Sequence, residues 1–450
     1  MPTACPADSF QDRGLVVVDS APMPIACPAD SFQDRCLVVV GSAPMPTACP
    51  ADSVQRVLVD ATKLKTLYCG LGQFTLHLGR TLSQTAGSRE QGVDRSGPRS
   101  LPPAPCSQLS ARPIVPELLV PSGNYSLMAR SGLRQVAAYP WKKEIVQRLY
   151  RGWLAGFLPP EPRYALWHAT TQFTQYLPLD PRTPVLLTIH DLNFLREKPS
   201  HICRRNLRRI QAVIDRAAAV TTISHFVANE IRRHLDLRGK PLRVIYNGAN
   251  TDDYPQAARP EFADARPFLF AISDIVRKKN FHVLVGLIAR LPEYRLIIAG
   301  NDRTDYAREI RRAAAEAGVA ERVCLPGIVS DAARCWLYKN CSGVCFPSLT
   351  EGFGLPVVEA MLFGRPVFIS DATSLPEVGG PLAFYWKCFD PDAMLAVFRC
   401  GMAAYAADPQ YAARLTAHAE RFSWNKAAAE YLAFYREIID AGGRLSRRAA

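Results

Sequence analysis

Short, continuous apolar runs alternate with longer amphipathic ones along most of the chain, the pattern of strands alternating with helices in an α/β protein with buried parallel sheets. In the first half it predicts strands at Arg56–Ala61, Glu117–Val120, Tyr164–His168, Val185–His190, Val220–Ser224 and Arg243–Tyr246. A glycine-containing loop, Lys63–Gly72, separates the first strand from a helix over Gln73–Leu82. In the second half strands are expected at Pro267–Ser273, Tyr294–Gly300, Arg322–Leu325 and Gly343–Pro347. Helices are expected at Phe281–Arg290, Leu355–Phe363 and Ala393–Ala404, and over Trp424–Ile439, whose Tyr431, Leu432 and Tyr435 form a packing face.

Several stretches break the alternation. Met1–Pro22 and Met23–Pro44 are near copies, and a third copy starts at Met45; with only Leu-Val-Val-Val as apolar content they predict a disordered extension over 1–53. Thr85–Pro113 is rich in Ser, Pro, Gly and Arg where a second strand is due, which reads as an insertion that weakens its domain. Ala249–Arg266 is polar, with Pro255 and Pro260, and reads as a linker. The expected organisation is therefore 54–248, linker 249–266, 267–420, and a helix and tail over 421–450. In Trp141–Leu158, Ile145, Leu149, Trp153 and Leu154 share one face, while Lys142, Lys143, Arg148 and Arg151 supply charge. That stretch is either an interfacial helix on anionic lipid or a helix packed on the domain.

Composition narrows the partners. Lys plus Arg is 54 against 41 Asp plus Glu, a net charge of +13, which favours anionic partners. Arg204, Arg205, Arg208 and Arg209 deepen the basic surface, but no helix-turn-helix, zinc-finger or RNA-recognition signature accompanies them, so nucleic acid is not expected. No apolar run reaches ~18 residues, so no transmembrane helix is expected. The 13 cysteines are scattered without a Cys-x2-Cys, against a zinc site or disulfide framework and for reduced cytosolic thiols. Asp390-Pro391-Asp392 resembles an acidic metal site, yet Asp as N-cap with Pro next is a complete helix-start signal, and no metal site is assigned.

The chemistry concentrates in Leu349–Glu359. A buried strand ends at Pro347, Gly352 and Gly354 break the chain, and a helix begins at about Leu355 with Pro356 in its first turn. Such a turn presents unpaired N–H groups and partial positive charge to an anion. Glu351 and Glu359 can each accept hydrogen bonds from a pair of hydroxyls. Phosphate on the amides and hydroxyls on the acids suits a sugar nucleotide; two solvated glutamates on a plain strand–turn–helix is the other reading.

Glu351 and Glu359, separated by seven residues that include Gly352-Phe353-Gly354-Leu355-Pro356, and then Ser374-Leu375-Pro376-Glu377-Val378, resemble the signature of glycosyltransferase family 4. The similarity runs from about Arg56 to Arg436. It implies the GT-B fold, two Rossmann-like domains facing across a cleft, and a retaining, front-face transfer of a hexose from a nucleoside diphosphate sugar. Mannose from GDP-mannose is the expected donor. The expected acceptor is a glycan or lipid-linked glycan of lipopolysaccharide or exopolysaccharide synthesis, met in the cytoplasm or at the inner face of the membrane. No cofactor or metal is implied. A sugar-nucleotide epimerase of the same architecture and an inactive nucleotide-binding scaffold are the alternatives.

By the same resemblance Glu351 holds the sugar hydroxyls, Glu359 the ribose hydroxyls, and the Gly352, Phe353, Gly354 and Leu355 segment lies against the donor. Lys279, with Arg277, binds the diphosphate, and Ile328 and Val329 lie against the base through their backbone. His190, in His190-Asp191-Leu192, sits beside the sugar, so that His190, Glu351 and Lys279 form the catalytic set; a structural histidine capped by Asp191 is the other reading. Gly70 and Gly72 correspond to the acceptor-side loop, and Ser224 and Asn247-Gly248 to cleft positions. Two departures stand out: Ser273 replaces a usual Gly, and Asp274 stands where many members have Arg.

Overall fold

The computed structural model describes residues 54–65, 70–87, 112–121, 133–138, 162–249 and 257–448. The duplicated segment 1–53, most of the Ser/Pro-rich stretch, the basic run Trp141–Leu158 and the middle of the linker lie outside them. The first half contains β1 (Gln55–Asp60), α1 (Gly70–Gly87), β2 (Ile114–Pro121), β3 (Arg134–Ala138), β4 (Leu166–Ala169), β5 (Val185–Ile189), α2 (Phe194–Glu197), α3 (Ser200–Arg216), β6 (Ala219–Thr222), α4 (His225–His234) and β7 (Leu242–Val244). Its strands pair in parallel in the order β3-β2-β1-β4-β5-β6-β7.

The second half contains β8 (Phe268–Ile272), a 3₁₀ turn Arg277–Lys279, α5 (Val283–Ala289), β9 (Arg295–Ala299), α6 (Asp305–Glu316), β10 (Val323–Gly327), α7 (Asp331–Asn340) and β11 (Gly343–Phe346). There follow α8 (Leu355–Leu362), β12 (Val367–Ser370), α9 (Leu375–Gly379), β13 (Phe384–Trp386), α10 (Pro391–Ala407), α11 (Tyr411–Ala419) and α12 (Trp424–Arg448). The second sheet is also parallel, in the order β10-β9-β8-β11-β12-β13. The apolar runs are buried on both faces, as in Val-Leu-Leu-Thr-Ile of β5, because helices cover both sides of each sheet.

Two local expectations change. Gly70 and Gly72 lie in the first turn of α1, not in a loop; burial of Phe74, Leu78 and Leu82 along one helical face outweighs the poor helix propensity of glycine. Strand β10 runs on through Pro326 to Gly327, which an edge strand tolerates because the proline needs no ladder partner on its open side. Asp390 is indeed a helix cap: its Oδ1 accepts from the amides of Asp392 and Ala393 at 3.0 and 3.1 Å, and the Asp392 carboxylate pairs with Arg290.

The chain crosses back to the first sheet after α11. Ala249 N donates to Phe422 O at 2.9 Å, and a Cβ on Gly248 would lie 2.1 Å from Trp424 N, so glycine is required at this crossing. Helix α12 then buries Trp424, Tyr431, Leu432 and Tyr435 among α1 and the strands. His168 pins it there: Nδ1 bonds Tyr435 Oη at 2.7 Å and Nε2 bonds Thr188 Oγ1 at 2.8 Å. His168 is thus a structural residue, and burial, with His190 nearby, pushes its pKa down to about 3.

This has a pH signature. The unfolded chain binds a proton at a histidine near pH 6.5, whereas folded His168 does not until about pH 3. Its contribution to stability is full above the unfolded pKa and is lost as pH falls, by about 1.4 kcal/mol per unit. Urea unfolding between pH 7 and 5 is expected to show a shallower loss of stability for His168→Gln than for the wild type.

Candidate active site

In each sheet the strand order reverses, at β1/β4 and at β8/β11, and ligands of such folds bind outside the carboxyl ends of the strands at these points. Here the loops from those ends meet. Thr350 Oγ1 donates to Asn193 Oδ1 at 2.7 Å, Ser224 Oγ donates to Gly352 O at 2.8 Å, and Lys278 Nζ lies 3.1 Å from Glu197. A Cβ on Gly352 would stand 2.4 Å from the carbonyl oxygen of His190. The loop after β11 and the loop after β5 therefore touch backbone to backbone.

The glycine loop is oriented by hydroxyls. Ser374 Oγ donates to Glu351 O at 3.1 Å and to Phe353 O at 2.8 Å, and Glu351 N donates to Thr373 Oγ1 at 3.0 Å. With its carbonyls tied down, the loop is left with the amides of Gly352, Phe353, Gly354 and Leu355, for which no backbone acceptor is found among the described residues. Gly354, at φ +120°, makes the turn into α8, and Pro356 follows in the first helical turn. The result is a set of N–H donors at a helix N-terminus, a ready anion site.

Beside them Lys279 Nζ meets Glu351 Oε1 at 2.5 Å, with 11% and 13% of the two side chains exposed. Lys279 Nζ also lies 5.1 Å from the Phe346 ring centroid. Glu359 is buried in α8, where its Oε2 accepts from Tyr338 Oη at 2.7 Å. The Phe353 side chain turns into the core against Tyr246 and Phe422, so only its backbone serves the loop.

His190 belongs to the loop after β5, whose backbone meets the glycine loop at Gly352. Its Nε2 donates to Thr170 O at 2.8 Å and its backbone N to Gln172 Oε1 at 3.2 Å. A carbonyl can only accept, so the proton is on Nε2 and Nδ1 keeps a lone pair. Burial drives the pKa down to about 4 although the Thr170 bond opposes it; the ring is neutral at pH 7. The edge of Phe74 in α1 packs on it at 4.6 Å between centroids, which brings the first turn of α1, with Gly70 and Gly72, to this end of the sheet. The Asp191 cap does not form: Asp191 Oδ1 accepts from Asn193 N at 2.9 Å instead.

The three basic residues of the 3₁₀ turn diverge. Lys279 enters the cluster, Lys278 reaches Glu197, and Arg277 is exposed and paired with Glu309 on α6. Burial alone would lower the Lys278 pKa, but the Glu197 bond and the charges of Asp191 and Glu351 raise it overall. Ile328 is exposed just past β10, Val329 packs on the core, and Asp274 is exposed at the end of β8. Gln172, Thr170 and Thr373 were not singled out from sequence. The first two follow β4 directly, so strand position alone could have flagged them; nothing local flags Thr373.

Residues 106–253 match the family described as Glycosyltransferase Family 4, and residues 255–395 the one described as Glycosyl transferases group 1, together more than half of the chain. The serotype-specific mannosyltransferase WbdA of Escherichia coli is 28% identical over 263 residues, 53% of this chain and 32% of the relative. A GDP-mannose:cellobiosyl-diphosphopolyprenol alpha-mannosyltransferase of Xanthomonas campestris is 34% identical over 134 residues, 29% of this chain and 34% of the relative. The chain thus spans about a third of the length of these two curated relatives. The crystal structure of Anabaena HepE in complex with UDP-glucose matches with a TM-score of 0.60 at 19% identity, over 84% of this chain and 99% of that one. The two parallel-sheet halves are the GT-B arrangement.

Because Lys279 and Glu351 are each other's neutralising partner in a nearly closed site, removing one strands the other. Lys279→Ala and Glu351→Gln are each expected to lower stability. In a double-mutant cycle by denaturant unfolding, the double variant should lose about 1–3 kcal/mol less than the sum of the singles.

Proposed function

Because this chain belongs to glycosyltransferase family 4, we propose that it transfers a hexose, with retention, from a nucleoside diphosphate sugar to a glycan or lipid-linked glycan, and that the donor is GDP-mannose. The observation that carries this reading is the Lys279–Glu351 contact set beside the loop amides, which have no backbone acceptor among the described residues. A cation and a carboxylate side by side suit a ligand in which an anionic group and a set of hydroxyls are one bond apart, as diphosphate and sugar are. Lys279 and the amides take the diphosphate, Glu351 the sugar hydroxyls, and Glu359 the ribose. The Nδ1 lone pair of His190 accepts from a sugar hydroxyl near the reacting carbon.

The protein then contributes position and charge stabilisation rather than a nucleophile. The departing diphosphate takes the acceptor proton, and its growing charge is met by Lys279 and the loop amides. Arg277 stands apart on Glu309, so in this reading Lys279 carries the side-chain share alone. Mannose and GDP are supported by the relatives, which are mannosyltransferases, one of them a GDP-mannose:cellobiosyl-diphosphopolyprenol transferase. The UDP-glucose in HepE belongs to that protein and makes UDP the control.

A lipid-linked acceptor would be met at a membrane surface. No helix among the described residues is long and apolar enough to cross a membrane. Helix α3 exposes Arg204, Arg205 and Arg208, and no acid is paired with them among the described residues. Such a face suits the headgroups of an anionic cytoplasmic leaflet.

Thermal unfolding with GDP, UDP, ADP and their sugar conjugates tests the donor. A ligand at about a hundred times its Kd stabilises by ~2.7 kcal/mol; a rise in Tm is expected with GDP and GDP-mannose and is expected to vanish in Lys279→Ala. Conversion of GDP-mannose without acceptor would favour an epimerase, and no shift with any nucleotide would overturn the reading. On vesicles, sedimentation with phosphatidylglycerol but not phosphatidylcholine is expected, reversed at 1 M salt where screening acts within about 3 Å.

A further inference from the structure

Ala372–Leu375 is a tight turn closed by Leu375 N donating to Ala372 O at 3.1 Å. Its first central residue, Thr373, has φ +55°, and Ser374 follows at φ −83°, ψ −9°. Turns with a positive φ at that position ordinarily use glycine, and a β-branched residue is the least suited replacement. Among the described residues only Arg238, Asn280 and Thr373 combine a side chain with positive φ; of these Thr373 alone is β-branched. A glycine here would remove the strain, so the side chain needs a use. Its Oγ1 accepts from Glu351 N at 3.0 Å, while the neighbouring Ser374 Oγ donates to Glu351 O at 3.1 Å. The strained turn thus holds both polar backbone groups of Glu351, and the direction in which the Glu351 side chain leaves the loop, toward Lys279, follows from that grip.

We propose that Thr373 is a positioning residue for the donor sugar: its hydroxyl fixes the Glu351 backbone, and through it the carboxylate that grips the sugar, without touching the ligand. The proposal rests on the donor reading of Glu351 above. It separates two parts of one ligand. The diphosphate and nucleoside fall to Lys279, the loop amides and Glu359, none of which Thr373 holds, whereas the sugar falls to Glu351.

Calorimetric titration of the full chain with GDP, GDP-mannose, UDP and UDP-glucose tests this in wild type, Thr373→Val, Thr373→Ser and Thr373→Gly. For the nucleotide that binds wild type, Thr373→Val and Thr373→Gly should bind the free diphosphate as wild type does. The affinity for the sugar conjugate relative to the diphosphate should fall roughly tenfold, the effect of one net hydrogen bond, and Thr373→Ser should restore it. Thr373→Gly, relieved of strain, should unfold at no lower temperature than wild type, so its loss cannot be assigned to misfolding. An unchanged ratio in Thr373→Val and Thr373→Gly, or an equal loss for diphosphate and conjugate, would overturn the proposal while leaving the donor reading intact. If wild type binds none of the four, the donor reading fails and the proposal with it.

Discussion

Gly352 has no side chain because the carbonyl oxygen of His190 occupies the place where one would go. That close approach holds the second sheet's glycine loop against the first sheet's histidine loop. The surrounding bonds are arranged about it: Ser224 on the Gly352 carbonyl, Thr350 on Asn193, Lys278 on Glu197. Without it, the neutral imidazole and the Lys279–Glu351 pair would belong to two separate surfaces. With it, they form one site at the carboxyl ends of two parallel sheets, where strand geometry leaves loops free to specialise.

Charge placement follows from what each loop element faces. Three consecutive cations in the 3₁₀ turn find three different carboxylates, on α6, α2 and the glycine loop. Their spread is a consequence of the turn, which points successive side chains about a third of a rotation apart. Only Lys279 is directed inward, and its partner Glu351 is held at its backbone by the hydroxyls of Thr373 and Ser374. Glu377, three residues further on, accepts from the amides of His225 and Phe226 at 2.7 and 3.0 Å, so the same short segment also caps a helix of the first half, α4. Position at this site is therefore supplied by neutral hydroxyls and amide caps, and charge by a single lysine and its partner.

The alternating runs and the Leu349–Glu359 stretch were readable because their signals are local. An apolar run buried on both faces needs no knowledge of its neighbours, and a glycine turn followed by proline at a helix start is a backbone statement. The N-cap role of Asp390 was readable for the same reason. Harder were the positions whose meaning depends on a distant partner. Gly70 and Gly72 resembled a loop until the packing of Phe74 drew them into a helix. Phe353 stands in the middle of the motif, yet its ring belongs to the core with Tyr246 and Phe422. Asp191 sits beside His190 in sequence but turns to Asn193, while Gln172, 18 residues away, holds the histidine's backbone.

What the sequence by itself determined is the architecture and the composition of the site: parallel strands, an anion-binding turn and two acids at fixed spacing. These depend on residues within one strand–turn–helix unit, where covalent geometry dictates the outcome. What only the tertiary structure decided is the pairing: which cation meets Glu351, which tautomer His190 holds, and why a threonine occupies a glycine's conformation. Those answers come from groups tens to hundreds of residues apart, brought within about 3 Å, where a hydrogen bond is made or lost over a few tenths of an ångström.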